Sequence, residues 1–141
     1  MPNSDLSPAS PELSKRAARR LIQRAFVLVG RDRRVREHIR EAHLTMLWVL
    51  EDWGFEWTVV VDRGRLQFDR RPARKPDLTV TWREATVFFQ RIEDGGEDAD
   101  DFKIEGKLEL RKFLDLVYRA FRSALHEVLR YPFDDEGVRI A

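Results

Sequence analysis

The run from Phe55 to Phe68 leaves few choices besides a β-hairpin. Phe55, Trp57, Val59 and Val61 alternate with Glu56, Thr58, Val60 and Asp62, the period of two that turns one side of a strand toward a core. Aromatic and β-branched residues dominate the run, and both suit a pleated surface. Asp62-Arg63-Gly64 reads as a tight turn with glycine available for positive φ. Arg65–Phe68 then returns with Leu66 and Phe68 inward. A chain with this pair must supply a second layer to cover its apolar side.

Material for that layer lies on both sides of the hairpin. Leu13, Ala17, Leu21, Ala25 and Leu28, flanked by Ala18, Ile22, Phe26 and Val29, keep helical spacing. Ser10-Pro11-Glu12 reads as the start of this helix and Gly30 as its stop. A short second helix follows, capped by Asp32, with Val35, Ile39 and Ala42 on one face. Leu44–Leu50 is almost wholly apolar and reads as a strand, because Trp53-Gly54 marks a turn just before the hairpin.

Beyond the hairpin, Asp69–Pro76 is a basic loop, and Asp77–Thr81 is a third sheet segment with Leu78 and Val80 inward. Thr81 and Glu84 have capping-box spacing ahead of a helix that buries Ala85, Phe88, Phe89 and Ile92. After the acidic run Glu93–Asp101, the alternation of Phe102, Ile104, Leu108 and Leu110 predicts a strand through FKIEGKLEL, with a bulge or close backbone approach at Gly106. A long helix from about Arg111 to Arg130 closes the core. Its stripe is Phe113, Val117, Ala120, Phe121, Ala124, Leu125 and Val128, widened by Leu114, Leu116 and Leu129, and Pro132 ends it.

This order predicts an α+β fold of two layers: a mostly antiparallel sheet of four to five strands with helices packed on one face. At 141 residues the chain suits a single domain, expected over residues 10–141, behind a polar, disordered tail at residues 1–9. Without cysteine it has no disulfide framework, thiol nucleophile or cysteine-held metal. It shows no secretory signal and no apolar run of roughly 20 residues that could span a bilayer. A cytoplasmic protein is the expectation.

Charge is segregated although the net is only +1. Residues 11–41 hold ten cations against four acids, whereas six of the nine residues in Glu93–Asp101 are acidic. A basic half reads first as a solvated face, and next as a surface for an anionic membrane or an acidic partner. Nucleic acid is disfavoured, because the sequence pI is near 8.1 and most aromatics sit in apolar stripes, where they cannot stack on bases.

The sequence carries no specific catalytic signature. His38, His43 and His126 have no ligand spacing, so no metal or other cofactor is implied. The acidic run fails as a calcium loop, with glycine at the third position and Ala99 where the glycine should stand. Glu51-Asp52 are adjacent in a turn and point apart. A non-enzyme is the expectation. What remains is the aromatic load, nine Phe and four Trp. It means either a well-packed interior or an apolar cavity between sheet and helices.

One stretch is familiar. Trp57, Thr58, Val59, Val61 and Gly64, then Lys75, Asp77, Thr79 and Thr81, then Phe102, Ile104, Gly106, Lys107 and Leu108 match motifs along about Leu44–Leu110, which resembles the sterol carrier protein 2 family. The resemblance implies a five-stranded sheet with helices on one side and a hydrophobic tunnel that accepts fatty acids, acyl-CoA, phospholipids or sterols without catalysis. A bacterial branch of the family looks like accessory factors of isoprenoid quinone synthesis. On this footing the apolar ligand is expected to lie against Trp57, Val59, Leu66 and Phe68 of the sheet, and Phe88, Phe89, Phe113, Val117 and Phe121 of the helices. Arg70, Arg71, Arg74 and Lys75 are expected near the mouth, for an anionic group or membrane surface. The competing expectation is a filled core, with the basic helices docking an anionic partner. Oligomeric state is not legible.

Overall fold

The computed structural model describes residues 14–94 and 102–129. Helix α1 (Lys15–Arg31) begins on Ser14, whose backbone is extended and whose hydroxyl accepts from the Ala17 N–H at 3.0 Å. The helix therefore starts later than the Ser10-Pro11-Glu12 signature predicts. Those residues, with Leu13 and the expected tail, lie outside the described residues. Ala17, Ala18, Leu21, Ile22, Ala25, Phe26 and Val29 are buried, while Leu28, which the spacing placed in the stripe, is exposed.

Gly30 does not end α1. Asp32 does, and its carboxylate turns to accept the Arg34 N–H at 2.9 Å, capping α2 (Arg33–His38). Gly30 lies inside the helix beside the third strand, where an added Cβ would make only ordinary contact with Leu66. Val35, Ile39 and Ala42 are buried, but the helix is shorter than predicted: it ends at His38, with Ile39 as its C-cap and Ala42 beyond the following turn.

Five strands form one sheet: β1 (His43–Leu50), β2 (Phe55–Asp62), β3 (Arg65–Asp69), β4 (Leu78–Trp82) and β5 (Phe102–Gly106). Their order is β3-β2-β1-β4-β5, parallel between β1 and β4 and antiparallel elsewhere. The hairpin turn is as read, with Arg63 at φ 46° and Gly64 at φ 92°. Their N–H groups donate to Ala42 (2.7 Å) and Ile39 (2.9 Å), fastening the turn to the chain that leaves α2.

Register places Leu44, Met46, Trp48 and Leu50 beside Trp57, Val59 and Val61 on one side and Leu78, Val80 and Trp82 on the other. This buried face carries the helices. The connection from β3 to β4 runs across the opposite face. There Thr58 donates to the Arg71 carbonyl at 2.6 Å and becomes a buried polar side chain.

The capping box is not formed. Strand β4 continues through Thr81 to Trp82, so Thr81 pairs in the sheet and cannot cap a helix. Helix α3 (Ala85–Asp94) is held from a distance, the Ala85 N–H donating to the Asp52 carboxylate at 2.9 Å. Ala85, Phe88, Phe89 and Ile92 are buried, as its spacing predicts.

Strand β5 also ends earlier than predicted. Gly106 has φ 115°, and a Cβ there would collide with the Asp77 carbonyl oxygen, so glycine is required at this crossing. Leu108 and Leu110 form a 3-10 turn instead of strand, and Leu108 is exposed. Helix α4 (Arg111–Leu129) buries Leu114, Val117, Phe121, Leu125 and Leu129. The stripe is thus turned relative to the predicted one, with Phe113, Ala120, Ala124 and Val128 half-buried on its flanks. His126 Nδ1 donates to the Ile92 carbonyl at 2.9 Å, covering an acceptor near the end of α3. The acidic run from residue 95 and the expected stop at Pro132 lie outside the described residues.

Asp77 clasps three elements. Its carboxylate accepts the Thr45 N–H at 2.8 Å and pairs with Lys107 Nζ at 3.1 Å, and its carbonyl accepts the Lys107 N–H at 2.8 Å. The Thr45 hydrogen bond, helped by Lys107, holds this carboxyl below the ordinary 3.8 despite partial desolvation. A lowered folded pKa gives stability that is complete above the ordinary value and lost as pH falls through the folded one. Asp77→Asn should therefore lower the urea midpoint at pH 7 and weaken its fall between about pH 4 and pH 2. Gly106→Ala should cost about 2–4 kcal/mol in the same measurement.

Candidate functional site

Three adjacent strands each send an indole to the helix side. Trp48 lies 6.0 Å from Trp57 and 5.4 Å from Trp82, centroid to centroid. Phe26 of α1 stacks on Phe121 of α4 at 4.6 Å, and both meet Trp48 edge-on at 5.1 and 5.2 Å. Such ring pairs contribute about 0.5–1.5 kcal/mol each beyond area burial.

The residues predicted to wall a cavity do come together, as neighbours in contact. Trp57, Val59, Phe88, Phe89, Val117 and Phe121 are buried. Leu66 and Phe68 are half-buried on β3, with Phe68 5.4 Å from Phe26. Phe113 sits at the flank of α4 with the Lys112 ammonium 5.2 Å from its ring. Between Trp48 and Phe121 the space is taken by the rings themselves.

Open volume is found at the β5 edge, in a cleft of about 700 Å³. Trp82, Phe88, Phe102, Tyr118 and Val87 give it an apolar lining. Trp82 and Phe102 are paired across β4 and β5, and Tyr118 of α4 lies 5.5 and 5.8 Å from them. Thr81 and its partner Lys103 point to the other side of the sheet yet also line the cleft, which therefore wraps the edge strand. Arg83, Arg91 and Lys103 are balanced on its walls by Glu51, Glu84 and Glu105.

Of the predicted ligand residues only Phe88 is among this lining. Trp82, Phe102 and Tyr118 were missed. The signal for Trp82 was present, since the period of two in Leu78 and Val80 continues to it, but the apparent capping box hid the strand.

The predicted cations lie away from the cleft. Arg70 borders a depression beside α1 with Lys15, Arg19, Trp53 and Phe55, where the Arg19 guanidinium lies 4.4 Å from the Phe55 ring. Arg71 is pinned to Asp69, whose carboxyl is held low by the Arg71 backbone N–H and then by its side chain. Arg74 and Lys75 are exposed on the crossing loop. A separate depression of about 670 Å³ gathers Arg33, Arg36, Arg40, Arg63 and Arg65 around Glu37. Among the described residues no cluster of three His, Asp or Glu could hold a metal, and no helix is long and apolar enough to cross a membrane.

No family model and no curated protein matches the sequence. Solved structures do. A conserved hypothetical protein from Thermus thermophilus, described as possibly a sterol carrier protein, aligns over 86% of this chain and 92% of its own, with TM-score 0.59 and 9% identity. A ubiquinone synthesis protein, UbiJ-SCP2, aligns over 74% of this chain and 94% of its own at TM-score 0.45 and 14% identity. The sec-alkylsulfatase Pisa1 from Pseudomonas sp. matches 57% of this chain at TM-score 0.46 and 20% identity, and this chain spans only 14% of its length. The chain has the sterol-carrier-protein-2-like fold: α+β, a mostly antiparallel five-stranded sheet, and helices over one face.

If Phe121 is a packing residue, Phe121→Ala should destabilise by about 3–5 kcal/mol in urea. A residue facing an empty tunnel would cost less than about 2 kcal/mol.

Proposed function

We propose that this domain binds a lipid-like or amphiphilic small molecule, without transforming it, in the cleft that wraps β5. The observation that carries the reading is the cleft's size and lining. Its volume of about 700 Å³ and its floor of Trp82, Phe88, Phe102 and Tyr118 suit a ligand with an apolar body. The fold supports the ligand class, through its likeness to a protein described as possibly a sterol carrier. The described lining offers contact surface and balanced charge. The ring-filled centre moves the proposed site from the middle of the sandwich to its edge.

A second reading has its own observation. Five arginines around one depression between α2 and the hairpin would suit an anionic partner or membrane surface, with the domain serving as an accessory module.

Native mass spectrometry of the protein from a heterologous host, with titration of Nile red, separates the two. Retained lipid and saturable dye binding are expected. Val87→Trp, which fills the cleft, should weaken dye binding at least about tenfold while leaving the urea midpoint nearly unchanged. Bare protein that ignores the dye but sediments with anionic vesicles would favour the docking module.

A further inference from the structure

The depression between α2 and the hairpin lies at β3, the edge of the sheet opposite the cleft at β5. Arg33, Arg36 and Arg40 border it from α2 and the turn that follows, and Arg63 and Arg65 from the hairpin. Glu37 is the single acid on its described walls. Arg63 pairs with its neighbour Asp62 at 3.1 Å, whereas Arg33, Arg36, Arg40 and Arg65 have no ion pair among the described residues. Like charges gathered this way repel one another, and a bound anion would relieve that repulsion. The turn adds a second observation. Arg63 occupies the left-handed region at φ 46°, a position that Asn, Asp or Gly fills at less conformational cost. Its N–H and that of Gly64 are tied to the Ala42 and Ile39 carbonyls, so the backbones that carry the two sets of arginines keep a fixed relation.

The lining narrows the ligand. Among the described residues of its walls there is no aromatic ring on which a base could stack, and half-buried Leu66 is the one large apolar side chain. The exposed apolar residues Val27, Leu28 and Leu108 are not on these walls, so no exposed anchor for a bilayer stands among the arginines. Every cation there is arginine, whose planar fork matches phosphate oxygens two at a time. Unpaired cations in this number suit a compact anion of several charges, which linked phosphoryl groups supply and a single carboxylate or sulfate does not. We propose that this depression binds a small, soluble anion of two or three linked phosphoryl groups, held between the arginines of α2 and those of the hairpin. The inference rests on the docking reading given above, names its anion, and is independent of the cleft.

Calorimetric titration of the full chain with tripolyphosphate, at physiological ionic strength, is the test. Saturable binding is expected, with orthophosphate, sulfate and citrate at least about tenfold weaker. Arg36→Gln combined with Arg65→Gln should weaken tripolyphosphate by about tenfold or more. Arg36→Lys with Arg65→Lys keeps the charge but loses the fork, and should still weaken it about threefold or more. Arg74→Gln with Lys75→Gln removes as much charge from the crossing loop and should leave the affinity within about twofold. In the wild-type protein the Nε–H resonances of Arg36 and Arg65 should shift on adding tripolyphosphate, a readout that does not depend on any variant folding.

Equal weakening by the crossing-loop pair, undiminished binding by the lysine pair, citrate bound as tightly, or unmoved Arg36 and Arg65 resonances would overturn the assignment. So would sedimentation with phosphatidylglycerol vesicles that depends on Arg36 and Arg65 in a protein that ignores tripolyphosphate. The docking reading would then stand with a membrane as its partner. Absence of both kinds of binding would remove the docking reading as well and leave the cleft untouched.

Discussion

The indole of Trp48, wholly buried on the central strand, meets Phe26 of α1 and Phe121 and Tyr118 of α4 at 5.1 to 5.9 Å, and these contacts fix how far the helices stand from the sheet. The neighbouring strands extend the contact sideways through Trp57 and Trp82. Rings this large cannot be spaced apart without opening voids, and voids in close-packed interiors are costly. A layer of rings packed on rings therefore underlies the stability of the sandwich. One cleft opens where the layer reaches the edge strand, between Phe102 and α3.

What the sequence made legible follows its periodicities. The β2–β3 hairpin, the central strand, the α3 stripe and the Asp32 cap all rest on local patterns that tertiary contacts reinforce. The misreadings share one cause, local signals overruled by distant partners. Thr81 and Glu84 have the spacing of a cap, but pairing with β1 and β5 keeps Thr81 in the sheet and Asp52 takes over at the helix start. Leu108 and Leu110 continue an alternation that Asp77 terminates from another strand. Gly30 looks like a stop, but α1 runs one residue past it to Arg31 and is closed at Asp32.

The candidate site was legible in kind more than in place. An aromatic load divided between sheet and helices pointed to an apolar interior, and the interior exists. Sequence could not tell whether facing rings would touch or stand apart, because that depends on the rotation of α4. A turn of its stripe toward Leu114 and Tyr118 closes the centre and brings Tyr118 to the cleft. The basic residues likewise divide in space. Arg70 and Arg71 group with α1, while the arginines of α2 meet those of the hairpin.

The Asp77 clasp bears on the order in which the chain assembles. The hairpin is made by neighbours in sequence, whereas β4 and α3 are fastened by hydrogen bonds between residues 32 and 33 apart. Closing loops of that length costs entropy before any contact repays it, so local pairs form ahead of the parallel one. β4 and α3 are thus joined to the rest of the sheet through longer loops than the hairpin is.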